Sequence, residues 1–133
     1  MRLTSSALVL VLLALAGCGG SDSGFTDDYN QAVKPLTRLE RGMGTKPGAY
    51  DRLAQTTRAT RAKLAKLTPP QGARDEFRTL LSELDKVTRS LSAFAAASRD
   101  NDVAAQRQAA QGLVESSTGV QQAESKLKQA VEG

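Results

Sequence analysis

One cysteine, Cys18, and no histidine stand in a chain of 133 residues, and those two counts narrow the chemistry open to it. Without imidazole and with a single thiol, the usual sites for zinc, copper, haem or iron–sulfur centres cannot be assembled, nor can a Ser-His-Asp triad. The hydrolase elbow G-x-S-x-G and the phosphate-binding glycine loops are missing as well. Carboxylates remain, and general acid/base work needs two that converge on a cavity. Asp27/Asp28 and Asp75/Glu76 each lie near an expected helix start, where negative charge complements the helix dipole, so both pairs read as structural. Asp100-Asn101-Asp102 opens like a calcium loop, but Val103-Ala104-Ala105 lacks the later oxygen ligands and the glycine, and a helix stop followed by a cap is the better reading. Ser82 and Lys86 have the spacing of a nucleophile and its base, which is also that of any surface pair one helical turn apart. No catalytic residue, no metal ligand and no cofactor-binding residue is assigned, and the chain is not expected to be an enzyme.

Charge is unevenly spread. From Lys46 to Lys66 there are six basic residues, Lys46, Arg52, Arg58, Arg61, Lys63 and Lys66, against one acid, Asp51, whereas Asp100 to the C-terminus carries a net −2. This basic segment is a candidate patch for anionic lipid headgroups or cell-wall polymers, or else a solvated face that also pairs with the acidic C-terminal segment. Nucleic acid is disfavoured: the formal charge is only +4 and no aromatic residues are interleaved with the basic ones.

The elements that would position these groups are helical. The composition is rich in Ala, Leu, Gln, Arg and Lys, with no Ile and no Trp, an alphabet that favours helix over strand. Four stretches place apolar residues three and four apart, burying one stripe each. The first is Phe25, Tyr29, Ala32, Leu36, Leu39, Met43, with Thr26 as a start, Gly42 and Gly44 at its end, and Pro35 expected to kink or split it. The second is Tyr50, Leu53, Thr57, Thr60, Leu64, Leu67, opened by Pro47 and closed by Thr68-Pro69-Pro70-Gln71-Gly72. The third and most regular is Phe77, Leu80, Leu84, Val87, Leu91, Phe94, Ser98. The fourth, Val103, Gln106, Ala110, Leu113, Ser117, Val120, Glu124, Leu127, Val131, is interrupted by polar seam positions and by Gly112 and Gly119, which suggest a close approach to a neighbour or a local bend; Glu124 is expected at an exposed helix end. Short connections between long helices predict an all-α, up-and-down antiparallel bundle of three or four helices.

Ahead of these helices, Met1-Arg2 supplies a positive start and Ala7 to Ala16 an unbroken apolar run of ten, followed by small residues, the layout of a secretory signal. Such a run spans about 15 Å as a helix, half a bilayer core, and is not a transmembrane anchor. Leu15-Ala16-Gly17-Cys18 at its end resembles the lipobox of bacterial lipoprotein precursors at all four positions. The resemblance implies that the Cys18 thiol takes a diacylglyceryl group and that a peptidase cuts between Gly17 and Cys18. Two acyl chains give stable anchoring where one is marginal. The alternative is ordinary cleavage after Ala16, since Ala14-Leu15-Ala16 satisfies A-x-A, leaving a secreted protein with a free thiol. The run from Leu64-Ala65-Lys66-Leu67-Thr68-Pro69-Pro70 onward is similar to other small helical lipoproteins, in which Leu-rich helices flank a Pro-Pro turn; that likeness supports the fold and transfers no function.

The expected organisation is therefore a signal peptide over residues 1–17, a lipidated Cys18 with a flexible tether over 18–24, and a helical bundle over 25–133. Removal of the leader leaves a charge of +3, because Arg2 is its only charged side chain. The function expected is that of a lipid-anchored module on the extracytoplasmic face of the envelope, membrane-bound through Cys18 and engaging an envelope protein or an anionic surface polymer. The alternative is a carrier holding a small ligand among the polar seam residues Thr57, Thr60, Gln106 and Ser117.

Overall fold

A computed structural model describes residues 23–41 and 47–132. The signal peptide, Cys18, the tether as far as Asp22, the Gly42/Gly44 helix end and Lys46 lie outside the described residues. Within them the chain forms four helices, α1 (Ser23–Arg41), α2 (Pro47–Leu64), α3 (Arg74–Arg99) and α4 (Val103–Glu132), with a single 3-10 turn, Gln71–Ala73, leading into α3. There is no strand among the described residues. No described helix is long and apolar enough to cross a membrane.

The helices run alternately up and down. α3 packs most closely on α4, α2 lies on the other side of α3, and α1 lies along α2. Antiparallel register shows in the pairs that link them. Arg61 of α2 meets Asp85 of α3 and Asp51 meets Arg99, so residue numbers rise on one helix as they fall on the other. The predicted all-α antiparallel bundle is the observed fold, with four helices.

Each helix buries the stripe its spacing marks out. Tyr29, Leu36, Leu64, Leu80, Leu84, Val87, Leu91, Val120 and Leu127 are essentially inaccessible and form one continuous core. Burying a side chain of this size is worth about 1.5–3 kcal/mol. Three details differ from expectation. α1 begins at Ser23, so Ser23 and Gly24 belong to the helix. Pro35 does not split it: Pro35 and Gln31, whose carbonyl the missing amide would have served, are both exposed, where water can take over that bond. Val103, at the head of the fourth seam, is 62% exposed, because α4 starts beyond the reach of the other helices' apolar faces.

The α3–α4 corner follows from its three polar residues. Asn101 takes the left-handed conformation, φ 53°. The amides of Asn101 and Asp102 donate to the carbonyls of Ser98 and Ala97 at 3.3 and 3.0 Å, closing α3 with paired C-terminal bonds. Asp102 then caps α4, its Oδ1 accepting from the Ala105 amide at 3.1 Å. The calcium-like opening is thus a stop and a start for two helices.

Candidate functional site

The basic segment is carried by α2 and the turn after it. Arg52, Arg58, Lys63 and Lys66 are exposed and make no ion pair among the described residues. Arg61, at the edge of the buried stripe, lies 3.2 Å from Asp85 of α3. The spacing of Leu53, Thr57, Thr60 and Leu64 turns one side of α2 inward and leaves Arg52, Gln55, Arg58, Ala59, Ala62 and Lys63 exposed around the rest of the helix. From Arg52 to Lys63 that row runs about 17 Å along the helix axis. Lys46, the first of the six expected members, is outside the described residues. Pairing of this segment with the acidic fourth helix is not what the fold allows: α2 neighbours α1 and α3, so α4 lies diagonally across the bundle, and both ion pairs of α2 go to α3. From Arg52 to Arg74 the chain holds six cations and no acid.

A second polar feature was placed wrongly by the sequence. Glu124 is 1% exposed; it is not at an open helix end. The α4 stripe stays inside as far as Leu127, with α3 and the 3-10 turn Gln71–Ala73 packed on α4, and the Tyr29 phenol of α1 lies beside the Glu124 carboxyl. Burial, the charge of Glu124 and a hydrogen bond to it, in that order, push the Tyr29 phenol well above its usual value of 10.0. Ser117, two turns earlier on α4, is also buried, and its Oγ has no hydrogen-bond partner among the described residues. The sequence did hold a signal for the pair, since Tyr29 and Glu124 both occupy seam positions of their helices. A carboxylate in a seam was read as an end effect when it marked contact with a phenol.

The polar seam residues suggested as a ligand site are dispersed. Thr57 is inaccessible and donates to the Leu53 carbonyl of its own helix at 2.7 Å. Gln106 donates to Ala97 O at 3.3 Å across the α3–α4 corner. The larger surface hollow, about 450 Å³, is an open groove between α3 and α4 lined by Glu83, Arg89, Ser90, Gly112 and Gly119 among others. A smaller one of about 190 Å³ lies beside Asp75, Glu76 and Lys126. Neither is lined by Thr57, Thr60, Gln106 or Ser117.

The carboxylates and the Ser-Lys pair fall where a structural role puts them. Asp75 and Glu76 occupy the first turn of α3, whereas Asp27 and Asp28, exposed on α1, lie beyond its first turn because the helix begins at Ser23. Ser82 is exposed, while Lys86 is bound to Glu83 at 3.0 Å. No cluster of three or more potential metal-ligating side chains occurs among the described residues. Comparisons of the chain with family models, with curated proteins and with solved structures return no match.

Proposed function

We propose that this protein is a lipid-anchored component of a bacterial envelope whose helical domain works by binding rather than by catalysis. The lipobox-like Leu15-Ala16-Gly17-Cys18 supports the anchor, attached through a thioether at Cys18. The observation that carries the binding reading is the exposed row of cations on α2, which the fold directs outward and leaves without an acidic neighbour on α4. Fixed positive charge held on a rigid helix is a means of recruiting an anionic partner, and it costs nothing in reorganisation when that partner arrives.

The test is crosslinking in the producing cell, with mass spectrometry of what is captured and Cys18→Ala as the unanchored control. Capture of the same envelope component by the anchored form alone supports the proposal. Equal capture by both forms would remove the anchor from the function, and turnover of an envelope substrate by the purified chain would overturn the non-catalytic reading.

A further inference from the structure

We infer that the basic row of α2 is a docking surface for the acidic headgroups of the membrane that holds the lipid anchor, so that the bundle lies with α2 against the bilayer. The inference rests on the anchoring proposed above and adds to it a face, a ligand chemistry and an orientation.

Three observations lead to it. The first is where the chain enters the fold. α1 starts at Ser23, five residues after Cys18, and five residues span at most about 18 Å even when fully extended. A lipidated Cys18 therefore holds the start of α1 close to the headgroups. The second is which part of the bundle sits there. Phe25 of α1 stacks edge-on against Phe77 of α3, ring centroids 5.4 Å apart. The beginning of α1, the beginning of α3 and the turn joining α2 to α3 thus share one end, with Lys63 near the end of α2 and Lys66 in that turn. The third is charge. The one acid of α2, Asp51, is paired with Arg99 of α3, and from Arg52 to Arg74 the chain carries none. The other helices mix signs on their exposed residues: Asp27 and Asp28 accompany Lys34 and Arg38 on α1, Asp75 accompanies Arg78 on α3, and Glu115 accompanies Arg107 on α4.

An exposed, cation-rich helix side is what an anionic bilayer surface selects. Each Lys or Arg near such a surface contributes on its own, and the attraction fades within a Debye length, about 8 Å at physiological salt. The tether allows Lys63 and Lys66 to come within that distance, and Arg58 and Arg52 follow along the same helix. The small exposed residues between them, Ala59 and Ala62, do not stand between the cations and a facing surface. The anchor supplies affinity; the row supplies orientation, turning the α3–α4 side away from the bilayer and toward the envelope space.

The experiment uses the lipidated protein, extracted in detergent and reconstituted on vesicles of phosphatidylcholine alone or mixed with phosphatidylglycerol. Lipidation occupies the thiol of Cys18, so a single fluorophore can be attached to Ala62→Cys, within the α2 row, or to Gln121→Cys, on the exposed side of α4 in the same half of the bundle. Brominated lipid then reports contact by quenching. The expected result is quenching of the Ala62→Cys label on phosphatidylglycerol vesicles, several-fold weaker on phosphatidylcholine and at high salt, with little quenching of the Gln121→Cys label on either. Changing Arg58, Lys63 and Lys66 to Gln, all exposed, is expected to abolish the difference between lipids while helix content stays constant. Equal quenching of the two labels, or an Ala62→Cys signal indifferent to lipid charge, overturns the docking surface, as does indifference to acidic lipid combined with retention on an immobilised anionic polymer. Flotation with neutral vesicles reads the anchor separately. Failure to float there removes the lipid anchor, and binding to acidic vesicles that still depends on the three cations supports the row by itself.

Discussion

Tyr29 is a residue whose ionisation the fold controls, with Glu124 beside it. The phenol is held neutral by burial and by the adjoining carboxylate, so the sign of its contribution is set: stability is intact below pH 10 and declines as pH rises above the phenol's ordinary value toward its folded one. Titration of phenolate absorbance should accordingly show one tyrosine that ionises only as the bundle unfolds, with Tyr29→Phe removing that signal. Glu124→Gln deletes the charge but not the burial. Tyr29 should then ionise at lower pH than in the parent protein yet still above its ordinary value, and a Tyr29 titration unmoved by Glu124→Gln would disprove the contact.

At the scale of elements, α3 and α4 are brought together by what α4 lacks. A Cβ at Gly119 would lie 2.3 Å from Glu83 Oε2, and one at Gly112 3.2 Å from Ser90 Oγ. The close approach inferred from these glycines is present, and each opposing atom is the end of a side chain able to turn away. Gly112→Ala should therefore gain up to about 1 kcal/mol from helix propensity, measured by denaturant melts. Gly119→Ala should gain less, because Glu83 must leave both its place and Lys86. Pairing it with Glu83→Ala should restore the gain, a non-additivity that a double-mutant cycle reads directly. At the corner between the helices, Asp102→Ala removes the only side-chain cap recorded for α4 among the described residues and should cost about 1 kcal/mol.

The described residues form one helical bundle, proposed to stand at a membrane surface, and localisation is the property most easily tested. Cys18→Ala should move the protein from the membrane fraction to the soluble extracytoplasmic one while leaving thermal unfolding of the domain unchanged, since α1 begins five residues later. A variant that stays in the membrane fraction would assign the retention to something other than the lipid, with the α2 row the first alternative.

Local chemistry made several features of this protein legible without coordinates. Helical periodicity of 3.6 residues is a property of the chain itself, so the stripes of α2 and α3, the bundle class and the stop at Asp100-Asn101-Asp102 could be read from residue types and spacing. The same holds for the missing imidazoles and thiols, and for the acid-free run from Arg52 to Arg74. What tertiary structure decided is which helix faces which. Periodicity marks an inward face but not the neighbour it meets, and so it left the basic segment free to be drawn against acidic α4, which the bundle places diagonally away. It likewise left Glu124 at a helix end. Only the closing of the bundle brings Tyr29 to that carboxyl, because a contact between residues 95 positions apart is created by tertiary packing and by nothing in their local sequence.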